Sequence, residues 1–94
     1  MHAAEDISFG LRKSTALGRA WGARIGDHLP YGQLVLLAVA TLSDQSALCT
    51  RDHDGMCGEV AIMTGLDGWR VSEITRVLVR DGHLLDAEGR FVVA

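Results

Sequence analysis

A chain of 94 residues, nearly half of them apolar, holds enough material for one small core and no room for a second. Its formal charge of −3 weighs against nucleic acid as a partner, because non-specific binding is driven by cationic neutralisation of phosphates. Two cysteines, no apolar leader and a longest apolar run, Leu34 to Ala40, well under the roughly 20 residues of a membrane span predict a reduced, cytoplasmic chain without a membrane segment.

Met1 to Asp6 is polar and aperiodic and carries no targeting signal, so frayed or disordered chain is expected there. From Ser8 to Gly26 the chain holds Arg12, Lys13, Arg19 and Arg24 and no acid, a basic segment on an otherwise acidic sequence. Gly18, Gly22 and Gly26 each follow one of Leu17, Trp21 and Ile25, a spacing of four that lines both sets along a helix. Interior glycines oppose that helix by about 1 kcal/mol each relative to alanine. Residues 1–26 are therefore expected as a basic arm or helix ahead of a folded unit at 27–94; the alternative is a segment held over the core by Trp21 and Ile25.

Asp27 to Pro30 punctuates the chain, and Pro30 suits the first turn of a helix running from about Pro30 to Ser43. That helix is apolar at nearly every position from Leu34 to Leu42, which predicts burial on most sides. Ser43 to Gly55 is a connector in which Ala47-Leu48-Cys49 can pair as a short strand with a later hairpin. A second helix starts between Arg51 and Met56, with Thr50, Asp52 and Asp54 as candidate caps. It ends at Thr64, where Gly65 supplies the left-handed residue of a sharp reversal.

The next helix opens at Asp67, whose carboxylate is expected to accept from the exposed N–H groups of the following turn. Val71, Ile74 and Leu78 form one apolar stripe along it, and Asp81-Gly82 closes it. At about 100° per residue Trp69, Glu73, Arg76 and Arg80 lie opposite that stripe, with Ser72 at the flank and Arg70 away from the centre. After Gly82, Leu84-Leu85 and Phe91-Val92-Val93 are β-prone and Asp86-Ala87-Glu88-Gly89 reads as a four-residue loop, with Arg90 beside its tip.

Two helices joined by a tight turn and followed by a hairpin predict a mainly α fold with a small β-hairpin, laid out as a winged helix-turn-helix. Its three-helix core and C-terminal wing are preceded by the N-terminal helix or arm. In that layout the first turns of the second helix of the pair reach base edges in the major groove. Arginine bonds guanine through two contacts, glutamate accepts from cytosine and serine is permissive, so Trp69, Ser72, Glu73 and Arg76 are the candidate base contacts. Arg70 is a weaker candidate, and Arg80 sits where a phosphate contact is favoured. Arg90 can reach a phosphate or the minor groove, and Arg12, Lys13, Arg19 and Arg24 can hold phosphates.

Such charges also decorate any solvated helix, where an i, i+3 pair contributes about 0.2 to 0.5 kcal/mol. Trp69 equally suits packing under the hairpin or against the N-terminal segment. So few base contacts on one chain predict a homodimer or cooperative assembly on double-stranded DNA, with a nucleoid-associated location. The competing expectation is an adaptor that docks a protein on its acidic surface, with Trp69 as anchor.

The residues Trp21-Gly22-Ala23-Arg24-Ile25, Leu29-Pro30, Leu34 to Ala40, Thr64-Gly65-Leu66 and Asp81-Gly82-His83-Leu84 carry a family likeness over roughly Arg19 to Leu85. The chain resembles the winged helix-turn-helix proteins found on actinobacterial chromosomes, plasmids and phages, and the spacing from Gly65-Leu66 to Gly82 agrees with that group. The resemblance implies a DNA-binding regulator, or the DNA-binding part of a replication or mobile-element protein. The sequence departs from the group in lacking Pro-Ser at the start of the helix before the turn and in a longer connector after Cys49. Asp67-Gly68-Trp69-Arg70 replaces a Ser-Glu-Arg-Thr type of opening, so no target sequence carries over.

No catalytic role is expected. His28, His53 and His83 are scattered, no nucleophile elbow or apolar carboxylate pair is present, and the glycines at 18, 22 and 26 do not follow a strand. Cys49, His53 and Cys57 are spaced four apart in a glycine-interrupted stretch and offer three soft ligands, where structural zinc takes four in tight pairs. Thiol sensing by the two cysteines would need exposure and a lowered pKa, with Arg51 as the nearest cation. Neither a metal nor another cofactor is expected.

Overall fold

A computed structural model describes residues 15–94; the expectations for Met1 to Asp6, Arg12 and Lys13 lie outside the described residues. Those described are mainly helical. Four helices, α1 (Thr15–Gly22), α2 (Gly32–Thr41), α3 (His53–Thr64) and α4 (Gly68–Arg80), precede an antiparallel hairpin of β1 (Leu84–Ala87) and β2 (Arg90–Val93).

Helix α2 is the centre, with Val35, Leu36, Ala38, Val39 and Ala40 all buried. It begins two residues beyond Pro30, because Tyr31 takes a left-handed conformation (φ 63°) as its cap. Gly32 lets the preceding loop close over the helix start: a Cβ there would meet carbons of Ile25 and Leu29 at 2.9 Å. Helix α1 lies against α2 through Ala16 and Ala20, so residues from 15 onward share one core with the rest of the chain. Gln33 Nε2 donates to the carbonyls of Ala20 and Trp21 at 3.2 and 3.1 Å, at the end of α1, where Ala20 O also accepts from Ala23 N at 3.3 Å. Of the two residues expected to hold this segment over the core, Ile25 packs against it, whereas Trp21 is 74% exposed; Ala16 and Ala20 are buried, with Leu17 beside them.

The connector pairs with the hairpin as read from the sequence, but through an isolated bridge and not as a strand, because Ala47 is left-handed (φ 63°). Leu48 bridges Val92, Cys49 N donates to Phe91 O at 2.7 Å, and Val93 N donates to Ala47 O at 2.9 Å, so this segment is held along β2 and does not extend the two-stranded sheet. Asp44 Oδ1 organises the approach by accepting from Ser46 N and Leu48 N at 2.8 and 3.1 Å. Of the candidate caps for α3, Asp52 is the one used, its Oδ1 accepting from Gly55 N at 2.8 Å. Helix α3 stops at Gly65 (φ 75°), whose N–H returns to Ala61 O at 2.9 Å, and three residues later α4 begins.

Two local expectations need correction. Asp67 occupies the N-cap of α4 and its carbonyl accepts from Val71 N at 3.0 Å, but its exposed carboxylate makes no capping bond. The hairpin loop has two residues, not four, since Ala87 pairs with Arg90 and Asp86 with Phe91. Glu88 (φ 54°) and Gly89 (φ 92°) are both left-handed, the type I′ geometry whose twist matches the flanking strands. Asp86 Oδ1 still serves the turn, accepting from Gly89 N at 3.1 Å.

Glutamate carries the steric cost of a left-handed residue at position 88, whereas asparagine tolerates it. Glu88→Asn therefore raises stability by about 1 kcal/mol, or about 4 to 8 °C in Tm for a domain of this size. A thermal melt reads it, and an unchanged or lower Tm contradicts the turn geometry.

Met56 and Val60 of α3, Val71, Ile74 and Leu78 of α4, and Leu84, Phe91 and Val93 of the hairpin close the core around α2. Among the described residues no helix is long and apolar enough to cross a membrane.

Candidate nucleic-acid interface

Helix α4 divides cleanly into two faces. Val71, Ile74, Thr75 and Leu78 are buried, and the Thr75 hydroxyl, the polar group among them, donates to Val71 O at 2.7 Å. Trp69, Ser72, Glu73, Arg76 and Arg80 are exposed on the other side. Trp69 is 63% exposed, so the packed alternative is not realised.

Two shallow clefts run along the edges of this open face. One, of about 380 Å³, lies between α4 and the loop before α2 and is lined by Leu29, Pro30, Trp69, Glu73, Arg76 and Val77 among others. The second, of about 400 Å³, lies between α4, the start of α3 and the hairpin, and is lined by residues including His53, Asp54, Cys57, Ser72, Arg76 and Phe91. Arg76 borders both and so forms the ridge between them. It carries no ion pair or side-chain hydrogen bond to another described residue.

The other arginines differ in how far they are committed. Arg80 Nε donates to Asp81 Oδ1 at 3.2 Å, and His28 Nε2 stands 3.3 Å from Asp81 Oδ2. Arg80 foremost, then His28, holds the Asp81 carboxyl below its ordinary range. The Arg80 side chain is nevertheless 67% exposed, which leaves its outer N–H groups to solvent. Arg70 is half-buried, its guanidinium 5.5 Å above the Tyr31 ring, and this contact ties the first turn of α4 to the start of α2.

Arg19 donates from Nη1 to Val93 O at 3.0 Å, at the end of β2. Arg24 is exposed in the segment between α1 and α2, and Arg90 is exposed at the hairpin turn beside Glu88. Trp69, Ser72, Glu73 and Arg76 are thus brought together on one face and Arg80 follows a turn later, while Arg70 and Arg19 are engaged with the protein itself.

The hairpin is fixed to the helical pair by a contact that single-residue reasoning missed. The His53 ring stacks flat on Phe91 with 4.1 Å between centroids. Its Nε2 is buried and 3.3 Å from Asp86 Oδ1, close enough for an ion pair but outside hydrogen-bond geometry.

Burial pushes both thiols up from their ordinary value, Cys57 further through Asp54, while Arg51 and Arg90 partly offset the rise at Cys49. Both cysteines are free and stay protonated at neutral pH, which does not suit a reactive thiol. Among the described residues no group of three or more His, Cys, Asp or Glu is placed to hold a metal. Compared with known proteins, the chain matches no family model, no curated protein and no solved structure at a significant level.

Proposed function

We propose that the chain is a winged helix-turn-helix DNA-binding protein whose helix α4 enters the major groove of double-stranded DNA. The observation that carries this reading is the open face of α4, on which Arg76, without an ion pair among the described residues, forms the ridge between two clefts. The four helices and the two-stranded hairpin are compatible with the layout, with α3 and α4 as the helical pair and β1–β2 as the wing. Trp69, Ser72, Glu73 and Arg76 then face base edges, and Arg80, Arg24 and Arg90 take phosphates. One chain offers few base contacts, so selectivity comes from a homodimer or a cooperative array. A regulator, or the DNA-binding part of a replication or mobile-element protein, at the nucleoid fits this reading.

A second reading is favoured by one observation, the exposed Trp69 beside the apolar Leu29 and Pro30. In it the same face docks a protein and the tryptophan is the anchor. Salt separates the two. Binding of labelled duplex, followed by fluorescence anisotropy, falls by roughly a hundredfold between about 50 and 200 mM salt when about four phosphates are neutralised. No binding of any duplex at low salt overturns the DNA reading and leaves the docking face.

A further inference from the structure

Among the described residues, His53 Nε2 is the buried side-chain polar atom that makes no hydrogen bond. Its surroundings are set by two elements. Asp86 and Phe91 stand directly opposite each other in the β1–β2 register, so both side chains project on one face of the hairpin. His53, the first residue of α3, meets both: its ring lies flat on Phe91 at 4.1 Å between centroids, and Nε2 is 3.3 Å from Asp86 Oδ1. The same carboxylate oxygen accepts from Gly89 N in the turn at 3.1 Å.

A neutral imidazole gains little from this place, because a buried nitrogen without a hydrogen bond is a cost. An imidazolium sets a full positive charge beside the carboxylate and a cation over the face of the Phe91 ring. The other charged groups nearby divide. On α3, Asp54 in the first turn and Asp52 at the N-cap favour a proton, while Cys57, one turn on, stays a neutral thiol. The positive end of the α3 dipole opposes one, as does Arg76 on the α4 side of the shared cleft. Arg90 pairs with Ala87 and so projects from the hairpin's other face, and Glu88 is exposed in the turn. Among the described residues Asp86 is the acid within ion-pair distance of the ring.

We infer that a proton latches the hairpin to the start of α3. When His53 is charged, its ion pair with Asp86 reinforces the stack on Phe91; when it is neutral, the stack alone remains. The contribution is present where the imidazole carries its proton and is lost as pH rises through the range in which histidine titrates, between about pH 5 and 8. The latch belongs to the fold and does not depend on what the face of α4 binds.

Thermal melts of the full chain, of Asp86→Asn, of His53→Phe and of the double variant, at about pH 5.5 and about pH 8, test it. Asparagine keeps an oxygen for Gly89 N but no charge, and phenylalanine keeps the stack but no proton. The advantage of the parent over Asp86→Asn is larger by about 2 to 4 °C in Tm at the lower pH, and so is its advantage over His53→Phe. In the Asp86→Asn background, His53→Phe costs the same at both pH values, and the other histidines cancel because every variant keeps them. A parent advantage over Asp86→Asn that is equal at the two pH values, or smaller at the lower one, overturns the latch, whether or not His53→Phe folds.

Discussion

Arg76→Ala together with Arg80→Ala lowers affinity for duplex DNA at least tenfold and leaves the melting temperature within about 4 °C of the parent, the span of a surface change of about 0.5 kcal/mol. The stability half follows from where the two side chains end. Arg76 has no ion pair or side-chain hydrogen bond to lose among the described residues, and Arg80 gives up one exposed, solvent-screened bond to Asp81. The affinity half follows from the ridge position of Arg76 and the free outer N–H groups of Arg80. A base contact is worth about 1 to 3 kcal/mol, and a tenfold loss is about 1.4 kcal/mol. Anisotropy titration and a thermal melt on the same samples read both quantities, and an unchanged affinity removes the outer face of α4 from the interface.

Much of this architecture was legible in the sequence because it rests on local rules. Apolar spacing at Val71, Ile74 and Leu78, the left-handed Gly65 and the β-prone segment at 47–49 each announce themselves within a few residues. The contacts that single-residue reasoning missed join distant parts of the chain. Arg70 meets Tyr31, Arg19 meets Val93, and His53 stacks on Phe91, and no periodicity encodes such pairs. Trp69 was undecidable for another reason: a tryptophan on the polar side of a helix is open or packed according to what the next element covers. Here the loop at Leu29 and Pro30 flanks the helix and leaves the ring exposed.

Leu78→Ala separates the fold from the face on the same helix. Leu78 is fully buried, on the side of α4 opposite the Arg76 ridge, and belongs to the core that joins α4 to α2 and the hairpin. Removing its side chain costs about 3 kcal/mol, from lost transfer energy and the cavity left behind, which lowers Tm by about 12 °C or more. A domain of this size has only about 5 to 10 kcal/mol in hand, so the variant is partly unfolded near its new midpoint yet folded in the cold. Well below that midpoint its affinity for duplex DNA equals the parent's, since no DNA-facing atom has changed. Adding Leu78→Ala to the Arg76 and Arg80 substitutions lowers Tm by the same amount as it does alone and weakens binding no further, as expected for two faces without a shared partner. A Tm loss equivalent to less than about 1 kcal/mol means that the Val71, Ile74 and Leu78 stripe does not anchor the helix. The orientation that leaves Arg76 outward fails with it.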